Sequence, residues 1–452
     1  MISRYKHIII LLIIILNTNY ISYSQNLGSI LEDELDNNRI TWIQDTTKLN
    51  SLMKLHSRQS DDLYASRGIT IDTSNYEEKT VTRLLEELVS YPNNIGILIY
   101  TYNEGSFISI LLKKNGSMFT KKKSISRKEF IASVANYSTY YSSNGLNRGP
   151  TTLTTRNLEK TINETEEYIF PFKEEIKDLE HLIIVPALNL SNIPFAAIKL
   201  SENNYLIDLM SYSIAPSLLE VFLSKSLNES NGFISMDTEV SYTIDNGLFI
   251  SNPTFNGSSK VVFNPLPGTE KEVKDITSLL KDSTYTLLNG KDAKFSNFYD
   301  NICNYDLLYF ATHGISDNID PLNNSYLALS MDDDGKSTLT AKDVQDIRLK
   351  CSLNADLVVL SACQTGIGKE HEAGVIGLAR AFNIAGSNHV VMSLWNVDDE
   401  KTAILMSLFF NRLKEPDKLM PHSAFRKAIL EFKNENNNPY YWSSFSILGL
   451  PY

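Results

Sequence analysis

Three apolar runs in the second half of the chain restrict its fold more than any other feature. Asp306-Leu307-Leu308-Tyr309-Phe310-Ala311 stops at Thr312-His313-Gly314, and Asp356-Leu357-Val358-Val359-Leu360-Ser361 stops at Ala362-Cys363. Val390-Val391-Met392-Ser393-Leu394 is the third. Runs this short, apolar without alternation and rich in β-branched residues, read as strands buried on both faces. Gly247 to Ser251 is a further strand of the same kind. Between and after them lie stretches with helical spacing. Thr269 to Leu280 carries Val273, Ile276, Leu279 and Leu280 on one face, and helices are predicted at about Val375 to Ala385, Asp399 to Leu413 and His422 to Phe432. Strands joined by helical crossovers make a mostly parallel sheet, which binds ligands at the carboxyl ends of its strands.

The first half follows a related pattern. Ile95 to Thr101 reads as a buried strand, Asn103-Glu104-Gly105 as a turn, and Ser106 to Leu112 as the returning strand. An amphipathic stretch, Glu174 to His181, reads as a helix leading into the strand Leu182 to Val185. Residues 225–246 are polar and without periodicity and read as a linker. Residues 25–90 form a polar lead-in with one helical stretch, Val81 to Val89. No helical repeat is visible in it. The expected organisation is a leader at 1–24, the lead-in, an α/β half at 91–224, the linker, and a second α/β half at 247–452.

At the N-terminus, Arg4, Lys6 and His7 precede an apolar run from Ile8 to Leu16, and Ser22-Tyr23-Ser24 places small residues two apart. This is the pattern of a signal peptide cleaved after Ser24. The run is well short of the ~20 residues that cross a bilayer. The rival reading is an uncleaved anchor, and only that reading brings a membrane into play. In either case the basic flank stays inside and the remainder is exported, to a periplasm or beyond the cell. With 452 residues, 42% hydrophobic and 21% charged, the chain can bury a sizeable core. A net charge of -11 argues against a nucleic-acid partner. Only three cysteines, Cys303, Cys351 and Cys363, are present, so at least one thiol has no partner within the chain. Cys303 and Cys351 read as structural or incidental. No CxxC pair exists and the seven histidines have no ligand spacing, so no metal site is expected.

His313 and Cys363 stand just past the ends of two predicted strands, each followed closely by a glycine, Gly314 or Gly366. Adjacent parallel strands would put both on one rim. Taken singly, each has a plain explanation, since a cysteine after an apolar strand is ordinarily a small buried residue. Together they form a pair suited to acyl transfer, a thiol that must lose a proton beside an imidazole that can take it and return it to the leaving amine. The amides of Gly314 and Cys363 would then face the developing oxyanion. Competing motifs fail. Gly366-Ile367-Gly368-Lys369 resembles the end of a phosphate loop, but Cys363 stands where its first glycine should be and Glu370 replaces the Ser/Thr. His371 sits in the charged run Lys369 to Glu372 and reads as part of a solvated loop.

Tyr309-Phe310-Ala311-Thr312-His313-Gly314 and Leu360-Ser361-Ala362-Cys363-Gln364-Thr365-Gly366 resemble the two signatures of the CHAT domain family. So do Gly377 to Phe382, Ser393-Leu394-Trp395-Asn396-Val397-Asp398-Asp399, and Pro265-Leu266-Pro267-Gly268 ahead of Glu272. Asn438 to Phe445 resembles the family's last strand, and Ile184-Val185-Pro186, Ile193 to Ala197 and Ala215-Pro216-Ser217 resemble its first half. The resemblance runs from about Asn94 to Tyr452. It implies kinship with caspases and separases: a three-layer α/β/α caspase-like fold with a degenerate first half and a catalytic second half. It implies His313 as acid/base and Cys363 as nucleophile of a cysteine endopeptidase that works through a thioester, without metal or organic cofactor. It also implies that Asp398 or Asp399 lines a pocket for a basic P1 side chain, although capping of the helix that follows explains both acids equally well. Glu372-Ala373-Gly374 departs from the family's commoner Gly-Glu-Gly, and the helical repeats that often recruit partners are not seen. The expected partners are a protein or peptide substrate and a regulatory protein. The alternative is a latent CHAT-like scaffold that acts by protein binding alone.

Overall fold

In a computed structural model, the described residues are 40–41, 94–103, 105–143, 152–202, 204–215, 221, 242–255, 263–281, 283–317, 319–362, 369–371, 374–396, 398–414 and 419–451. All belong to one compact unit spanning Asp36–Tyr452. The leader, the Val81 to Val89 helix, residues 225–241 of the linker, and Cys363 lie outside the described residues.

A single sheet of 12 strands organises the molecule. In chain order they are β1 (Ile40–Thr41), β2 (Ile95–Asn103), β3 (Ser106–Lys113), β4 (Ser117–Ser124), β5 (His181–Val185), β6 (Ser211–Ile214), β7 (Asn246–Ser251), β8 (Thr284–Asn289), β9 (Leu307–Ala311), β10 (Leu357–Ser361), β11 (His389–Ser393) and β12 (Phe445–Gly449). Across the sheet the order is β1-β4-β3-β2-β5-β6-β12-β11-β10-β9-β7-β8. From β2 to β8 every neighbouring pair is parallel except β11 with β12. The two halves of the chain therefore share one sheet, joined where Ile214 of β6 pairs with Leu448 of β12.

The principal helices are α1 (Arg127–Ser142), α2 (Thr152–Ile169), α3 (Pro267–Leu279), α4 (Leu378–Ala385), α5 (Asp399–Leu413) and α6 (Pro421–Glu435). Every residue of β9, β10 and β11 is buried, as strands covered on both sides require. Successive side chains of a strand point to opposite faces. Tyr309 meets Phe410 of α5 and hydrogen-bonds Glu272 of α3, whereas Phe310 meets Phe382 of α4. Helices α3 and α5 thus cover one face and α4 the other, which is the expected three-layer α/β/α arrangement. Helix α6 ties the halves together: the Arg426 guanidinium donates to the carbonyls of Ile207 and Asp208, and Lys433 pairs with Asp208 at 2.6 Å.

Three local expectations are corrected. The segment Glu174 to His181 is not a helix: its turns close through bonds such as Lys177 N–H to Glu174 and Leu179 N–H to Ile176, three residues back rather than four. The Glu180 amide then donates to the Asn94 carbonyl at 2.8 Å, drawing the chain into strand β5 at His181. The predicted helix from Val375 starts at Leu378, because Gly374–Ile376 pairs with Lys369–His371 as a two-stranded hairpin. Asn438 to Phe445 is a helical turn, Pro439–Trp442, before β12 begins at Phe445; the Asn438 side chain accepts from the Tyr440 amide at 3.0 Å, and Pro439 sits at the first helical position.

Candidate active site

Strands β9 and β10 are parallel neighbours with Ala311 registered against Ser361. His313 stands two residues past the first of these and Cys363 two residues past the second in sequence. Neighbouring strands run about 4.8 Å apart, so His313 stands at the carboxyl rim of the sheet, one strand away from the strand that leads into Cys363. Around that rim the strand ends are pinned. Thr312 Oγ1 donates to the Ala328 carbonyl at 2.7 Å, Ser361 Oγ donates to Glu272 Oε1 at 2.6 Å, and Ser393 Oγ donates to the Ala362 carbonyl.

The imidazole of His313 is half-buried and held from one side. Its Nε2 lies 2.8 Å from the carbonyl oxygen of Asn264. A carbonyl only accepts, so Nε2 carries the hydrogen and Nδ1 keeps the lone pair of the neutral ring. Phe263 stacks on the ring at 5.0 Å and 21°, and Phe255 closes in at 5.4 Å. The segment that supplies the carbonyl is anchored by Asn252, just past β7. Its φ of 40 is left-handed, a region that Asn tolerates better than most residues. From there its Oδ1 accepts from the Leu266 amide at 2.7 Å and its own amide donates to Thr269 Oγ1 at 3.0 Å. Asn252 thereby sets the start of α3 and the approach of Asn264 to His313.

Beside the imidazole lies an open pocket. Thr269, Glu272, His313, Ser361, Trp395 and Asp399 are among its walls. Trp395 is fastened there, stacking on Tyr440 and donating from Nε1 to the Tyr440 carbonyl at 3.1 Å. The two acids that the sequence nominates part company. Both are exposed, but Asp398 is the N-cap of α5, accepting from the Lys401 amide at 3.1 Å. Asp399 lines the pocket. Burial and the neighbouring charge of Asp398 hold its carboxyl above the usual aspartate range, and His313 draws it partly back. Gly268 makes room for it: a Cβ at that position would come within 3.1 Å of the Asp399 Cβ.

Glu272 was not nominated as a site residue. It is 1% exposed, and burial pushes its carboxyl up to about 7, helped by the charge of Asp399 and opposed by the hydrogen bonds from Ser361 and Tyr309. The signal was in the sequence, since Glu272 lies on the same helical face as Thr269, Val273 and Ile276, where an acid must be buried. Asn264 left no signal, because it acts through its backbone. Gly314 is buried and opens a short strand that pairs with Leu327 directly after His313. Cys303 and Cys351 form a disulfide. With those two joined, Cys363 has no other cysteine to pair with in the chain. Lys369–His371, which reads as loop, is one strand of the hairpin. Among the described residues no group of three His, Cys, Asp or Glu side chains is arranged to hold a metal ion.

A mostly parallel three-layer sheet with an anchored imidazole at a central strand end defines the class of caspase-like cysteine peptidase folds. Residues 160–450 match the family model of the CHAT domain, and the chain belongs to that family. The fold is similar to separase of Saccharomyces cerevisiae in two structures of the separase–securin complex, with TM-scores of 0.56 and 0.54 at 13% and 14% identity. Both comparisons cover 90% of this chain and 34% of separase. In sequence, human tetratricopeptide repeat protein 28 is 26% identical over 307 residues, 59% of this chain. The mouse protein is 29% identical over 111 residues, 25% of this chain. The chain matches only 12% and 4% of the length of these relatives.

Proposed function

We propose that the protein is an exported cysteine endopeptidase in which Cys363 is the nucleophile and His313 the acid/base. The observation that carries this reading is the imidazole fixed through Nε2 to the Asn264 carbonyl, one strand away from the strand that leads into Cys363. With Nε2 held, Nδ1 is the nitrogen free to take the thiol proton. The Cys363 sulfur then attacks the P1 carbonyl carbon, and the amides of Gly314 and Cys363 receive the negative charge on its oxygen. Collapse breaks the peptide C–N bond. The leaving amine takes the proton from the imidazolium, and a water deprotonated by His313 hydrolyses the thioester. The carboxyl of Asp399 in the pocket supports a preference for Arg or Lys at P1. The Cys303–Cys351 disulfide supports export to an oxidising compartment.

The test is cleavage of fluorogenic peptides bearing Arg, Lys, Met or Asp at P1, with labelling by a peptidyl acyloxymethyl ketone. Wild type is expected to prefer Arg or Lys. Cys363→Ala and His313→Ala each should lower kcat by at least on the order of 10⁴-fold. Cleavage retained by Cys363→Ala would refute the dyad. A wild-type chain that neither cleaves nor labels, with or without a binding partner, would favour a latent scaffold instead.

A further inference from the structure

Two carboxyl groups line the pocket beside His313, and only one of them has a surface explanation. Asp399 stands at the start of α5. Glu272 lies deeper, on the buried face of α3. Both hydrogen bonds that Glu272 receives, from Tyr309 and from Ser361, fall on Oε1. Neither engages Oε2, and the residue is part of the pocket wall. A buried acid needs a reason, because burial disfavours the carboxylate. With both donors from neighbouring strands on one oxygen, and the residue in the pocket wall, the second oxygen remains to receive a cation.

We propose that Glu272 is a specificity-determining residue: it forms the floor of the P1 pocket and receives the charged tip of a bound Arg or Lys side chain, with Asp399 as the second carboxylate of the same cation site. The proposal rests on the peptidase reading and deepens it. An alkyl stem along Trp395 would bring an extended basic side chain past Asp399 toward Glu272. The titratable groups around Glu272 are Tyr309 on β9, Asp399 and Asp398 at the start of α5, and His313 beyond β9, with Cys363 following in sequence after Ala362. Tyr309 remains neutral, since its own pKa is raised by burial and by Glu272. Asp399 opposes ionisation of Glu272. An incoming cation relieves that repulsion, so cation binding and loss of the Glu272 proton are coupled. The affinity for a basic side chain should therefore rise with pH up to neutrality.

Binding is measured on the full chain carrying Cys363→Ala, so that turnover does not intervene. The probes are an acetylated peptide amide ending in Arg and its citrulline counterpart, which has the same shape and no charge. By calorimetry in buffers of different ionisation heat, the Arg peptide is expected to bind about 10-fold tighter at pH 8 than at pH 6 and to release protons on binding. The citrulline peptide should show neither effect. Glu272→Gln keeps the oxygen that Tyr309 and Ser361 use, and it should flatten the pH profile and abolish the Glu272 share of proton release. Arg and citrulline peptides that bind alike, or a Glu272→Gln profile that matches the parent, would overturn the proposal. Those outcomes leave cleavage and labelling at Cys363 untouched. Conversely, pH-coupled Arg binding in a chain without cleavage would leave the cation site standing and remove the peptidase.

Discussion

Glu272→Gln also makes a stability prediction whose size follows from the structure. In the unfolded chain the carboxyl titrates near 4.5, and burial in the fold moves it up to about 7. Between those values the folded state holds a proton that the unfolded state has released, so stability falls as pH rises through this window. At about 1.36 kcal/mol for each pH unit, the full cost is roughly 3 kcal/mol above pH 7 and is absent below 4.5. Gln cannot ionise and still accepts from both Ser361 and Tyr309. The variant should therefore gain about 2.5 kcal/mol on wild type between pH 5 and pH 8. Urea unfolding followed by tryptophan fluorescence at pH 5, 6, 7 and 8 measures the difference. The quantity to read is the change in that difference, because other groups titrate as well. His181 on β5, His389 on β11 and His422 on α6 are all buried, with the rings of His181 and His422 4.5 Å apart. Burial first, and the charges of their neighbours second, lower the affinity of His181 and His422 for a proton, and burial does the same at His389. Their depressed values make the folded state lose stability as pH falls below 6.5, opposite in sign to Glu272, and this loss cancels when the two proteins are compared. Parallel profiles for wild type and Glu272→Gln across the whole range would show that the acid is not held neutral by burial.

Two further changes test the frame around the site. Gly449, at the end of β12, has a φ of 138, and a Cβ there would collide with the Asn388 carbonyl; Gly449→Ala should cost about 3 kcal/mol or more, read as a fall in Tm, and an unchanged Tm would disprove that close approach. Joining Cys303 to Cys351 closes a loop with a sequence separation of 48, worth roughly 4 kcal/mol in the chain-entropy description, so Cys303→Ser should destabilise by up to that amount. Thiol titration of the denatured, unreduced wild type should find one free thiol, and three would refute the pairing.

Much of the sheet was legible because it is parallel. Strands covered on both faces must be apolar throughout, so β7, β9, β10 and β11 stand out as runs without alternation. The α5 helix was legible to its ends, because Asp398 caps it and its apolar residues recur at helical spacing. The β4 strand, Ser117–Ser124, was not foreseen, since Lys121-Lys122-Lys123 hide its pairing with β3 behind a charged, half-exposed face. Helices α1 and α2 were missed for a similar reason: both carry many polar residues, α1 burying anchors such as Phe130 and Tyr137 and α2 Ile162 and Ile169. The turns at 174–179 resembled a helix because apolar spacing reports a face and not a hydrogen-bond pattern.

The sequence by itself determined which reactive groups end the central strands, because a strand that must be apolar can carry chemistry only where it stops. That put His313 and Cys363 each two residues past a strand in sequence and carried the family motifs around them. What only the tertiary structure decided were the partners that come from elsewhere in the chain: the Asn264 carbonyl that selects the His313 tautomer, the buried carboxyl of Glu272 behind Ser361, and the parting of Asp398 from Asp399. The physical reason is that periodicity records burial along one element, whereas a hydrogen-bond partner, a cavity wall and a disulfide depend on distances between elements that no local pattern encodes.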